Sequence, residues 1–139
     1  LGLFVLVRPL ALGLVFPFEF GFDPRTRAED GDPLDAVVLA DAGTATGVLL
    51  RCRPVALVRA SQRGDADARV RNDRVVMVAC EDRRRKNVQD ARDLSPRERE
   101  EMEAFFVASV VGEGKDLELL GWGDRDEARA AIGRARRRP

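Results

Sequence analysis

The stretch Asp30-Gly31-Asp32-Pro33-Leu34-Asp35-Ala36-Val37-Val38-Leu39 joins a tight acidic bend directly to an apolar run. Three carboxylates fall within six residues, and Gly31 and Pro33 fix the bend between them. Carboxylates this close repel one another, so the cluster is stabilised when a cation neutralises it. Ligands that offer only oxygen suit a hard cation such as Mg²⁺, which keeps several waters and bridges to phosphate oxygens. The same residues also make an ordinary solvated turn, because Asp, Gly and Pro are common turn formers. The apolar run that follows reads as a buried strand.

Outward from this stretch, the chain resembles the soluble (family I) Mg²⁺-dependent inorganic pyrophosphatases. The signature Asp-x-Asp-Pro-apolar-Asp of that family is matched at Asp30, Asp32, Pro33, Leu34 and Asp35. Upstream, Phe16-Pro17-Phe18-Glu19-Phe20-Gly21-Phe22 resembles the family's Tyr-Pro-x-Asn-Tyr-Gly-Tyr segment. Downstream, residues 47–58 (GVLLRCRPVALV) resemble the strand pair after the signature, and Phe105-Phe106 and Leu120-Gly121-Trp122 resemble the last helix and strand. Four segments in order cover nearly the whole chain.

The departures from that pattern fall on the residues that do chemistry. The chain has no tyrosine. The resemblance places the family's site tyrosines at Phe16, Phe20 and Ser109, and a Phe keeps the packing but loses the hydroxyl. Asp67 matches one member of the family's second aspartate pair, and Gln62 stands for the other. A site lysine becomes Arg69, and another becomes Val110. The family strands that carry two glutamates and a lysine of the site would lie upstream of Leu1, so the resemblance is to a divergent, N-terminally truncated member.

The resemblance implies hydrolysis of inorganic diphosphate to two phosphates, slowed by the missing groups. It implies Asp30, Asp35 and Asp67 as ligands for Mg²⁺, or for Mn²⁺. Metal coordination acidifies a bound water, and Asp32 would accept its proton. Arg8 and Arg69 would clamp the phosphates. Arg69 is a planar fork where the family has a point charge, so the exchange is not silent. Arg8 lies in an apolar stretch, where a bare charge is costly; it reads either as this phosphate ligand or as an arginine snorkelling from a strand end. A non-catalytic member that keeps the fold and a weak metal site is the alternative reading, and an oligonucleotide-binding barrel the third.

Composition limits these readings. The 139 residues suit one domain, residues 1–139, with a real core. Acidic and basic residues balance at 24 each, and aromatics make up 6%. Both argue against a nucleic-acid surface. Only Lys86 and Lys115 are lysines, and there is no histidine. A general base near neutral pH would therefore be a carboxylate or a metal-bound water. Cys52 and Cys80 show no zinc spacing and read as buried free thiols of a reducing cytoplasm. Arg8-Pro9 interrupts the apolar first 20 residues, which argues against a membrane span.

The element order predicts an α+β domain. Strands are expected over Leu3–Val7, Leu12–Phe16, Ala36–Leu39, Gly47–Pro54, Val55–Arg59 and Val75–Ala79, with Asp116–Leu120 closing. Arg51 and Arg53 alternate with apolar residues and read as a basic lining or a solvated outer face. Ser95 with Glu98, and Asp124 with Glu127, announce two helix starts. The stripe Met102, Phe105, Phe106, Ser109 and Val110 reads as core. The resemblance implies an OB-like five-stranded antiparallel β-barrel with two C-terminal helices packed outside, assembled as a homo-oligomer, commonly a hexamer.

Overall fold

The computed structural model describes residues 2–6, 18–29, 31–40, 49–110 and 112–136. Seven strands and two helices follow in the order β1 (Gly2–Leu6), β2 (Glu19–Asp23), β3 (Leu34–Leu39), β4 (Leu49–Arg63), β5 (Arg69–Arg71), β6 (Arg74–Ala79), α1 (Pro96–Ser109), β7 (Glu118–Gly123) and α2 (Arg125–Ala135). Pairing runs β1–β2–β3–β6–β4–β5, with β7 also on β4, and β1 pairs with β4 as well as β2. Every ladder is antiparallel except β3–β6, where Ala36 to Leu39 run alongside Val75 to Val78 in parallel. The α+β class and the two C-terminal helices agree with the sequence reading. The expected five-stranded OB-like arrangement is present as β1–β2–β3–β6–β4, with β1 also on β4; β5 and β7 add to β4, and one pair, β3–β6, is parallel where antiparallel pairing was expected. The difference arises because β6 inserts between β3 and β4, so strands adjacent in sequence are not adjacent in the sheet.

Both strands of the parallel pair are buried on both faces, as parallel ladders generally are. All six residues of β6 are buried. On one face Ala36, Val38, Val75 and Met77 pack with Ala128, Ala131 and Ile132 of α2. On the other, Val37, Leu39, Val76 and Val78 pack with Met102, Phe105 and Phe106 of α1. The period of two in the strands thus divides one apolar run between two helices.

The 15-residue β4 joins what the sequence suggested were two strands. A register shift between Pro54 and Ala56 lets the strand continue past a proline that cannot donate to a ladder. Strand β2 was not expected, and the expected strand Leu12–Phe16 lies outside the described residues. Cys52 is buried, but Cys80 is exposed, which corrects the expectation of two buried thiols. Burial, followed by the nearby Cys80, pushes the Cys52 thiol up to about 12. Arg51 is exposed on β4. Arg53 donates to the carbonyls of Val88 and Arg85 at 2.6–3.2 Å, so it staples a loop.

Helix α1 starts at a reciprocal capping box. Ser95 Oγ accepts from Glu98 N at 3.1 Å, and Glu98 Oε1 accepts from Ser95 N at 3.2 Å. Asp124 Oδ1 caps α2 by accepting from Glu127 N at 2.9 Å. Arg59 of β4 donates to Glu127 at 2.6 Å and to the Trp122 carbonyl at 2.8 Å, which fixes where α2 begins.

Asp90 joins the two helical regions. Its Oδ1 accepts from Ala91 N at 2.6 Å and from Arg125 N at 3.2 Å. Desolvation opposes its charged form, but those two N–H groups and the Arg92 and Arg125 charges hold its carboxyl below the usual carboxylate range. A folded-state value below the unfolded one stabilises the fold above the unfolded value, at about pH 4, and the benefit is lost as pH falls through the folded value. Asp90→Asn is therefore expected to melt below the parent at pH 7, with the gap closing as acid protonates the parent. Paired thermal melts from pH 7 to pH 3 read this out, and a gap independent of pH would show that the charge is not the cause.

Candidate active-site cleft

The β2–β3 loop is a small hydrogen-bonded unit. Thr26 Oγ1 donates to the Asp23 carbonyl at 2.7 Å and accepts from Leu34 N at 2.9 Å, so one buried hydroxyl closes the base of the loop. Within it, Ala28 N donates to the Asp32 carbonyl at 2.7 Å and Gly31 N to the Ala28 carbonyl at 3.0 Å. Gly31 takes φ 91°, a left-handed conformation that favours glycine. Arg27 N donates to the Ala135 carbonyl at 2.6 Å, which fastens the loop to the end of α2.

Asp32 is exposed on this loop, and Asp35 is half-buried on β3 opposite Phe22. A second wall comes from the end of β4, where Arg63 N donates to the Lys115 carbonyl and Gly64 N to the Ala68 carbonyl at 2.7 Å. A Cβ on Gly64 would meet Val70 Cγ2 at 2.5 Å, so the turn closes only around glycine. Between the walls lies a cleft of about 560 Å³, lined by Glu29, Asp32, Arg63, Asp65, Glu113 and Lys115, among others. Among the described residues, four carboxylates and two cations therefore face one space.

The other expected site residues are distributed as follows. Asp30 and Arg8 lie outside the described residues. Asp67 ends the short 3₁₀ turn Asp65–Asp67. Arg69 donates from Nη1 to the Asp116 carbonyl at 2.8 Å and to Asp116 Oδ2 at 3.1 Å. Its Nη2 donates to Ser61 O at 3.1 Å and Ser61 Oγ at 2.9 Å. The guanidinium thus bridges β4 to the segment before β7. Of the tyrosine positions, Phe20 packs against Phe105 with ring centres 5.8 Å apart, and Ser109 Oγ donates to the Phe106 carbonyl at 2.8 Å. Phe16 lies outside the described residues.

Arg63, Glu113 and Lys115 were not singled out from the sequence as site residues. They reach the cleft through the Arg63–Lys115 backbone contact, which joins segments about 50 residues apart; no spacing rule signals it. Among the described residues, no three acidic or thiol side chains gather closely enough to hold a metal ion. The donors present are carboxylate oxygens, which fit a hard cation that takes its remaining ligands from water and phosphate.

The family model for inorganic pyrophosphatase matches residues 1–138. The chain belongs to the inorganic pyrophosphatase family. It is 35% identical over 129 residues to an inorganic pyrophosphatase of Haloferax volcanii, covering 92% of this chain and 70% of that protein. It is 36% identical over 141 residues to one of Thermus thermophilus, covering 96% and 78%. The crystal structure of the inorganic pyrophosphatase from Thermus thermophilus superposes with a TM-score of 0.80 at 28% identity, covering 95% of this chain and 89% of that one.

Within this family fold, Gln62 is buried, and its Oε1 accepts from Asn72 Nδ2 at 2.9 Å. Asn72 Oδ1 has no hydrogen-bond partner among the described residues. Gln62→Leu would leave the buried Asn72 side chain without a partner, and is expected to cost about 1–3 kcal/mol in urea unfolding. Pairing it with Asn72→Leu should recover much of that loss. A double variant no more stable than the single would show that the amide pair is not the source.

Proposed function

We propose that the chain hydrolyses inorganic diphosphate to two phosphates with Mg²⁺, or with Mn²⁺ in its place. The observation that carries this reading is the cleft, which sets Asp32 against Arg63 and Lys115 in a chain that belongs to the pyrophosphatase family. Asp30, Asp35 and Asp67 are the residues that would hold the cation, which when bound acidifies water and neutralises phosphate charge. Asp32 accepts the proton of the attacking water, a task that falls to a carboxylate in a chain without histidine. Arg8 and Arg69 neutralise charge on the leaving phosphate. Arg63 and Lys115 face the same space and add cations there.

Turnover is slow in this proposal. Phe20 offers no hydroxyl donor, and the Arg69 guanidinium already bonds Ser61 and Asp116. Each donor missing from a developing charge costs on the order of 10²–10³ in rate, and such losses within one site are not additive. The protein acts in the cytoplasm as a homo-oligomer; exposed Val107 and Leu120 offer apolar surface for such contacts. Among the described residues, no helix is long and apolar enough to cross a membrane.

A second reading, a non-catalytic member with a weak metal site, draws on the neutral amide pair at Gln62. Phosphate release from diphosphate, with and without Mg²⁺, separates the two. The expected result is Mg²⁺-dependent release that falls by roughly 10²–10⁴ in Asp32→Asn. Equal rates in parent and variant would remove Asp32 from the mechanism. A Mg²⁺-induced rise in melting temperature without turnover would select the second reading.

A further inference from the structure

On the far side of the loop that carries Asp32 lies a second cavity, of about 300 Å³. Three arginines from separate parts of the chain line it: Arg27 from the loop, Arg71 at the end of β5 and Arg134 in the last turn of α2. Leu34 and Ala131 give it an apolar side. Among the described residues it shares only Glu29 with the diphosphate cleft.

The three guanidiniums are held differently. Asp73 grips Arg71 twice, accepting from Nε at 3.0 Å and from Nη2 at 2.8 Å. The same Asp73 Oδ1 accepts from Ala60 N at 3.0 Å, so this carboxylate is fully engaged within the wall. Arg27 donates from Nε to the Gly31 carbonyl at 3.2 Å, a bond that leaves its two terminal nitrogens for the cavity. Arg134 has no hydrogen bond or ion pair among the described residues. Like charges gathered in one small space repel, and among the described residues the wall sets Glu29 and the engaged Asp73 against three guanidiniums. An anion would relieve that imbalance, and the fork of arginine matches the oxygens of a phosphoryl group.

We propose that this cavity binds a phosphomonoester, its phosphoryl head among Arg27, Arg71 and Arg134 and its organic body against Leu34 and Ala131. Inorganic phosphate shares the head but leaves the apolar side uncovered, so the two anions are distinguishable. The site needs neither the cation nor the chemistry of the cleft.

The test is calorimetric titration of phenyl phosphate, and separately of inorganic phosphate, into the full chain without divalent cations. Parent, Arg134→Glu, Arg134→Lys and Asp32→Asn are compared, with melting curves to verify folding. Phenyl phosphate should bind the parent more tightly than inorganic phosphate. Arg134→Glu should weaken it about tenfold or more, and Arg134→Lys less, because a point charge replaces a fork. Asp32→Asn should leave the affinity unchanged, and Arg134→Glu should keep the parent's rate on diphosphate. Affinity unchanged in Arg134→Glu, lost in Asp32→Asn, or equal for the two anions would overturn the proposal, as would no saturable binding by about 10 mM.

Discussion

The parallel ladder between Ala36–Leu39 and Val75–Val78 lies entirely out of water, so it has to be covered on both faces. Each buried aliphatic side chain contributes about 1.5–3 kcal/mol only if its neighbours exclude solvent. Helix α1 supplies Met102, Phe105 and Phe106 on one side, and α2 supplies Ala128, Ala131 and Ile132 on the other. The unequal covers have a consequence. Large rings fill the α1 side, whereas the small residues of α2 bring its backbone close to the sheet. Only with α2 so placed does the Ala135 carbonyl reach Arg27 N and fasten the acidic loop. The site therefore depends on the core through that backbone contact and through Leu34, the signature residue buried with the same α2 side chains.

The same logic explains how a cluster of carboxylates persists in the cleft without distorting the loop. Asp32 accepts through its backbone carbonyl, Thr26 closes the loop with a hydroxyl, and Gly31 absorbs the left-handed turn. To these bonds the Arg27 guanidinium adds one to the Gly31 carbonyl, and the Asp23 carboxylate one from Arg25 N. Asp32 itself stays on the surface, where water screens the repulsion among neighbouring charges.

Much of this was legible in the sequence because the signals were local. Ser95 with Glu98 and Asp124 with Glu127 marked both helix starts, and the Met102–Phe106 stripe marked the buried face of α1. The unbroken apolar run after Asp35 marked a strand. What escaped was non-local or ambiguous. The Pro54 bulge turned two expected strands into one, because a proline reads as a break unless the ladder shifts around it. Strand β2 alternates Phe20 and Phe22 with Gly21, which reads equally as a loop. The parallel partner of β3 lies nearly 40 residues downstream, and no periodicity names it. Of the motif's residues, Asp32 lines the candidate cleft, whereas Arg63 and Lys115 reach it through one backbone hydrogen bond that no motif encodes.

The charge pattern of the cleft bears on how a diverged pyrophosphatase site stays folded. A guanidinium at position 69 reaches both Ser61 and Asp116 at once, which a lysine ammonium on a flexible stem does with less geometric precision. That bridge ties β4 to the segment before β7, and Arg63 N ties the same two segments through the Lys115 carbonyl. Both contacts close the wall opposite Asp32. An arginine-rich chain can thus hold the cleft's second wall with side chains that the signature would assign to phosphate. Exposed ion pairs of this kind contribute about 0–1 kcal/mol each, so the wall is held by its number of hydrogen bonds more than by any one charge. A bound phosphate would have to compete with Asp116 and Ser61 for Arg69. Lys115 pairs within its own turn, 3.2 Å from Glu113, whereas Arg63 stands 3.9 Å from Asp116 and so adds to the bridge between the two segments.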